Sequence, residues 1–147
     1  MDWAERARHA QAAALAASGS DARRAGTPIE VVRLDLDDAR YMLVPMIEAG
    51  LVVGVVETDG EGRQVRRIGR LRSSDGVVPL AEGEARARIA AVDPRQPSRV
   101  FLGWRPCRQS WDGFNPFWVI EFGDGDRRYV DQGGHVHSAL DPGGPGG

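Results

Sequence analysis

The stretch that decides the fold runs from Phe101 to Tyr129 and reads FLGWRPCRQSWDGFNPFWVIEFGDGDRRY. It holds eight of the ten aromatic residues of the chain within 29 of its 147 residues. Because aromatic side chains contribute much of the area that a small core buries, we expect folding and recognition to be concentrated here. The stretch contains no catalytic signature, so it indicates the architecture more clearly than the activity.

Alternating apolar residues predict strands on both sides of a polar, aromatic loop over residues 105–115. Trp118, Ile120 and Phe122 occupy every second position, so they share one face of a strand, and we expect that face to lie in the core. An acidic, glycine-rich turn at residues 123–126 and a Gln-Gly-Gly turn at residues 132–134 predict hairpins. The predicted strands are Arg99–Trp104, Pro116–Phe122, Arg128–Asp131 and His135–Leu140.

The residues before this stretch predict two helices and a four-stranded antiparallel meander. An alanine-rich helix over Trp3–Ala17 ends at a Ser-Gly-Ser sequence, and residues 21–27 form a polar linker. A second helix over residues 81–92 presents Ala81, Ala85, Ile89 and Val92 on one face. The four predicted strands of the meander are Ile29–Leu36, Tyr41–Glu48, Leu51–Thr58 and Gln64–Leu71.

These elements predict an α+β fold in which two helices pack on one or two antiparallel sheets. The hairpins at Leu51–Ile68 and Phe117–Val136 are alike, which suggests tandem helix-plus-meander units. We therefore expect a helix and meander over residues 1–72, a helix and antiparallel strands over 73–140, and a disordered Gly/Pro tail over 141–147.

Composition disfavours nucleic acid as a partner. The formal net charge is −2, and the 19 basic residues are all arginines spread along the chain. No dense basic run follows a phosphate backbone. Abundant alanine and glycine beside the exclusive use of arginine are typical of a GC-rich bacterial genome. One cluster of arginines is interpreted as a solvated strand face: Arg63, Arg66, Arg67, Arg70 and Arg72.

The sequence predicts a cytoplasmic protein with no membrane partner. The first residues lack the apolar core of a signal peptide, and no apolar run is long enough to span a bilayer. Cys107 is the single cysteine, which forbids an internal disulfide and is typical of a reducing compartment.

Residues 80–140 resemble the PepSY type of small domain. The resemblance rests on the helix sequence LAEGEARARIAAV and on the later element YVDQGGHV at Tyr129–Val136. It implies a helix lying across an antiparallel sheet, as in cystatin-like folds. It also implies a non-catalytic role in binding or regulating a partner, often a peptidase. Typical members are exported or membrane-attached, and this chain shows no export signal.

The candidate chemical groups do not add up to a catalytic or metal site. His135 and His137 point to one face of a strand, where Cys107 or Asp131 could supply a third zinc ligand, but no second Cys/His pair completes a tetrahedral shell. Cys107 lacks a setting that favours a thiolate. The aspartate pairs at residues 37–38 and 124–126 fall at turns, where they bond to the backbone. We expect no catalytic residue, metal or cofactor.

The loop composition favours a binding function. Trp, Phe and Arg beside adaptable polar groups are typical of protein interfaces, although the same rings could instead cap the core. We predict a non-enzymatic binding or regulatory protein that recognises a protein or peptide through this loop and a sheet edge. The alternatives are a small hydrolase or metal enzyme using Cys107, His135 and His137, and an immunity-type protein that occludes a toxin. The predicted partner-binding residues are Trp104, Arg108, Trp111, Phe114 and Phe117.

Overall fold

A computed structural model describes residues 1–71 and 76–142. These residues form two helices and nine strands of a mixed sheet, which confirms the predicted α+β class. Neither helix in this part of the chain is long and apolar enough to cross a membrane. Three features of the prediction lie outside the described residues: Arg72, the boundary between residues 72 and 73, and residues 143–147 of the tail. Contacts divide the chain into two compact units.

The first unit comprises Met1–Val31 and Asp38–Val77. Its helix α1 spans Trp3–Ser18; the Asp2 carboxylate caps it by accepting the backbone N–H of Glu5 at 2.8 Å. Its strands are β1 (Arg23–Ala25), β2 (Ile29–Arg33, whose last two residues belong to the second unit), β3 (Arg40–Glu48), β4 (Leu51–Asp59) and β5 (Val65–Arg70). Strand β3 pairs antiparallel with β1 and β4, and β4 pairs antiparallel with β5.

Small side chains on α1 allow it to approach the strands of the first unit. Ala10 and Ala14 are fully buried in one cluster with apolar residues of β3 and β4, namely Met42, Val44, Met46 and Val56. The turn between β4 and β5 also comes close to the helix: a Cβ added at Gly62 would lie 2.5 Å from the Ala10 nitrogen and the Arg6 oxygen. Glycine at position 62 therefore permits this contact.

The second unit comprises Val32–Asp37 and Val78–Gly147. It contains helix α2 (Glu82–Ala90) and strands β6 (Pro97–Trp104), β7 (Phe117–Phe122), β8 (Arg127–Val130) and β9 (Val136–His137). Strands β6 to β9 pair antiparallel in chain order. The end of β2 pairs in parallel with β6, with Val32 opposite Gly103.

Strand β7 is buried on both faces. Ile120 and Phe122 form a cluster with Leu80, Ala85, Ile89 and Val130, and Trp118 packs against that cluster. The Trp118 indole nitrogen also donates to the Leu80 carbonyl oxygen at 2.7 Å. This outcome confirms the predicted core face. Phe117 and Val119 on the opposite face are fully buried as well, so alternation revealed only one of the two buried faces.

Arg95 holds the residues after α2 to the turn between β7 and β8. Its guanidinium donates to Asp93, Asp124 and Asp126 at 2.8 to 3.1 Å. The guanidinium also lies 4.0 Å from the centroid of the Phe122 ring. Hydrogen bonds from the Arg95 side chain and backbone lower the pKa of Asp93 to about 2, and the Arg95 side chain lowers the pKa of Asp126.

Several predicted elements differ from the structure. The sheet is mixed, because β2 and β6 pair in parallel, so the prediction of purely antiparallel sheets was wrong. The predicted linker over residues 21–27 contains β1, and the predicted strand Ile29–Leu36 ends at Arg33. The predicted strand His135–Leu140 is reduced to the two residues of β9.

Candidate functional site

Backbone and side-chain hydrogen bonds fix the aromatic loop, defined as residues 105–115 between β6 and β7. The Ser110 carbonyl oxygen accepts the Trp104 indole N–H at 3.2 Å and the backbone N–H of Cys107 at 3.3 Å. The Ser110 hydroxyl lies 3.1 and 2.9 Å from the carbonyl oxygens of Asp112 and Asn115. The Asp112 carboxylate accepts the backbone N–H of Phe114 at 2.9 Å, which forms an Asx turn.

The segment after β9 supports the other side of the aromatic loop. Arg108 donates its backbone N–H to the Asp141 carbonyl oxygen at 3.0 Å. The Gln109 amide donates to the Asp141 carboxylate at 2.9 Å and accepts the Asp141 backbone N–H at 3.0 Å. Arg105 donates to the Leu140 carbonyl oxygen. The loop is therefore held at both ends and in its middle.

The five predicted partner-binding residues have different environments. Trp104 is 8% exposed, and the Arg33 guanidinium lies 5.4 Å from its ring centroid. Phe117 is fully buried and makes edge contacts with Tyr129 and His137. Both rings belong to the core in this structure. The other three residues reach the surface to different extents: Phe114 is half-buried, Arg108 is exposed, and Trp111 is 62% exposed.

A groove of about 400 Å³ opens beside Trp111. One wall comes from the aromatic loop and the other from the turn between β8 and β9. The lining residues are Gln109, Ser110, Trp111, Asp112, Asn115, Asp131, Gln132, Gly133 and His135. Gln132 connects the second wall to neighbouring segments: its side chain donates to the Pro116 carbonyl oxygen, just after the aromatic loop, at 2.8 Å and accepts the Leu80 backbone N–H at 3.0 Å.

Asp131 organises the turn that forms the second wall. Its carboxylate accepts the backbone N–H groups of Gly133 and His135 at 2.9 and 3.0 Å. The same carboxylate lies 2.8 Å from His137 Nε2 and 3.3 Å from His135 Nδ1. Burial raises the pKa of Asp131, but hydrogen bonds from the His137 side chain and the His135 backbone outweigh it, so the net pKa lies below its ordinary value. Asp131 therefore stays ionised at neutral pH.

The residues proposed for the hydrolase alternative have other partners. Cys107 is fully buried, and its thiol donates to the Ser110 carbonyl oxygen at 3.5 Å. His135 and His137 both face Asp131. In residues 1–71 and 76–142, no group of three or more Cys, His, Asp or Glu side chains is arranged to hold a metal ion. A nucleophile must reach its substrate, so the buried thiol gives the hydrolase interpretation no support.

No protein family, curated protein or solved structure matches this chain. The PepSY resemblance of residues 80–140 therefore stays a prediction. Sequence reasoning named Trp111 and Asp131 individually, but it did not place them in one groove, and it did not count Gln132 or Asn115 among the site residues. The turn sequence Asp131-Gln-Gly-Gly was the available signal, because an aspartate before glycines commonly accepts their backbone N–H groups.

Proposed function

We propose that this protein is a non-enzymatic binding or regulatory protein whose partner is a protein or peptide. The observation that carries the proposal is Trp111, which is 62% exposed on a loop fixed by many hydrogen bonds. A tryptophan is a frequent anchor of interfaces because one rigid ring buries a large area on binding.

The fixed loop lowers the entropy cost of binding. The Trp111 backbone lies between Ser110 and Asp112, and both residues are held by hydrogen bonds within the loop. A partner that covers the ring therefore orders few new backbone torsions, so more of the contact energy contributes to affinity. The groove beside Trp111 offers room for the partner's own side chains.

The sheet edge next to the groove adds a second mode of contact. Strand β9 is the last strand in the order of the second unit, and the turn that precedes it lines the groove. An extended peptide could pair with such a terminal strand while its side chains enter the groove. The binding or regulatory role implied by the PepSY resemblance agrees with this proposal. The single cysteine supports action in a reducing compartment such as the cytoplasm.

Capture from native lysate with variant proteins tests the proposal. Trp111→Ala should abolish capture of the partner that the unmodified protein retains. Trp3→Ala is the matched control, because Trp3 is a second exposed tryptophan, at 41%, on α1 of the first unit. Capture that survives in Trp111→Ala, or that is lost equally in Trp3→Ala, contradicts binding at the aromatic loop.

A further inference from the structure

Strand β5 forms one border of the sheet in the first unit. It comes first in the strand order, and among the described strands it pairs with β4 alone. This pairing is regular from Arg67 to Arg70, and the Leu71 N–H bonds inward to the Val53 carbonyl oxygen at 3.2 Å. Because bonding direction alternates along an antiparallel strand, the backbone groups of Arg70 and Ile68 face away from β4. The outer side of β5 therefore offers N–H and C=O groups to an added strand.

The side chains of β5 place positive charge on both sides of one apolar residue. Arg66, Ile68 and Arg70 occupy every second position, so they share one face of the strand. All three are exposed, Ile68 to 56%. In the part of the chain that the structure describes, neither Arg66 nor Arg70 makes an ion pair or a side-chain hydrogen bond. Arg67, by contrast, donates to the Glu57 carboxylate at 2.8 Å. Two charges on this strand are thus open to a partner.

We propose that β5 binds an extended acidic segment of a partner protein, which adds antiparallel to the outer side of the strand. The segment carries acidic residues at its first and fifth positions and an apolar residue at its third. In that register the acidic residues lie opposite Arg66 and Arg70, and the apolar residue lies opposite Ile68. Backbone hydrogen bonds provide affinity in strand addition, while the alternate side chains select the sequence. This surface belongs to the first unit, whereas Trp111 belongs to the second, so the two binding proposals are independent.

The charge of β5 disfavours a second copy of this chain as the occupant. Two antiparallel copies of β5 that met at Ile68 would place Arg66 of one copy directly opposite Arg70 of the other. Like charges at directly opposite positions destabilise a strand pair, and proteins use such charges to prevent association between sheet edges. The same two charges attract a strand of opposite sign. Charge complementarity therefore selects an acidic strand over a second β5.

Titration with defined peptides tests the inference. The probe is a capped peptide of sequence Glu-Thr-Val-Thr-Glu. In nitrogen–proton correlation spectra, the backbone signals of Ile68 and Arg70 should shift with this probe at up to millimolar concentration. The shifts should weaken as salt is raised, since screening reduces the attraction between exposed charges.

Three control peptides separate the parts of the recognition. Thr-Glu-Val-Glu-Thr has the same composition but carries its acids on the other face of the strand. A second control replaces both glutamates with lysine, and a third N-methylates the valine, which removes the N–H that would bond to Ile68. Each control should bind at least about fivefold more weakly than the probe, because each loses two charge pairs or a backbone hydrogen bond.

Variants of the strand separate charge from structure. Arg66→Gln and Arg70→Gln change exposed side chains, so both proteins should keep their fold. Each should weaken binding of the probe about threefold, as expected for the loss of one exposed ion pair. Arg24→Gln is the matched control, because Arg24 is an exposed arginine on β1 of the same unit, and this variant should leave the affinity unchanged.

Several results would overturn the inference. Equal affinity for the peptide with displaced acids would show attraction without a register, and full binding of the N-methylated peptide would exclude strand addition. Shifts of the Ile68 and Arg70 signals that grow with protein concentration alone would show that a second copy occupies β5. No shift with the probe, or unchanged affinity in both arginine variants, also contradicts the inference. Because the titrations need no native partner, their failure leaves the proposal for Trp111 untouched.

Discussion

At the scale of single residues, the immediate neighbours of each tryptophan decide whether it supports the fold or faces solvent. Trp104 and Trp118 lie in apolar strands and pack inside the second unit. Trp111 lies between Ser110 and Asp112 in a loop and is 62% exposed. The flanking residues predict this difference, because polar neighbours bond to the backbone of a turn rather than pack in a core.

The difference between Trp111 and Trp118 gives a stability prediction. Trp118→Ala should lower the free energy of unfolding by about 3 kcal/mol, because it removes a large side chain that packs on the core. It also leaves the Leu80 carbonyl without its indole donor. Trp111→Ala should change the same quantity by less than about 1 kcal/mol, since it removes an exposed ring. Urea denaturation of both variants measures the two values, and equal losses would show that Trp111 also supports the core.

At the scale of elements, the sequence predicted strands with clear alternation and missed those without it. Strand β7 was predicted from Trp118, Ile120 and Phe122, and the structure confirms that face. Strand β1 consists of Arg23, Arg24 and Ala25, which show no apolar alternation, so the sequence predicts a linker there. The parallel pairing of β2 with β6 joins residues about seventy positions apart, and no local pattern encodes such a partner.

The two hairpin turns that are alike in sequence make a matched pair for a test of helix packing. Gly62 and Gly125 both have positive φ, at 76° and 87°. An added Cβ would meet the α1 backbone at position 62 and nothing within 4 Å at position 125. Gly125→Ala should therefore cost only the backbone strain, about 1 kcal/mol. Gly62→Ala should cost about 3 kcal/mol, because the helix must also move.

Urea denaturation compares the two glycine variants. Equal losses of stability in Gly62→Ala and Gly125→Ala would show that α1 yields easily at this turn. A larger loss at position 62, with unchanged helical content by circular dichroism, would support a close contact between α1 and the turn.

At the scale of the whole molecule, the class of the fold was predictable and the site only in part. Composition and periodicity indicated α+β because each helix and most strands carry local signals. The groove arises from two segments that are distant in sequence, the aromatic loop and the Asp131 turn, so its shape depends on strand pairing that the sequence does not display. Trp111 and Asp131 could each be named in advance, whereas their placement on one groove could not.

The acid sensitivity of the whole protein should follow from four aspartates, among the described residues, whose pKa is lowered in the folded state. The pKa of Asp93 is lowered to about 2, and the pKa values of Asp35, Asp126 and Asp131 are also lowered. In the unfolded chain such carboxylates have a pKa near their ordinary value of about 3.9. A carboxylate whose pKa is lowered in the folded state stabilises the fold fully at any pH above its unfolded-state pKa. This stabilisation is lost as the pH falls through the folded-state pKa. Stability should therefore drop between about pH 4 and pH 2.

Arg95→Met tests the largest part of this effect, because Arg95 lowers the pKa of both Asp93 and Asp126. The variant should be less stable near neutral pH and should lose less further stability between about pH 4 and pH 2 than the unmodified protein. Arg99→Met is the matched control, since the Arg99 guanidinium lies 4.1 Å from the Phe101 centroid much as Arg95 lies over Phe122. Thermal unfolding at a series of pH values measures all three proteins. An unaltered pH dependence in Arg95→Met would show that the Arg95 ion pairs contribute nothing to acid sensitivity.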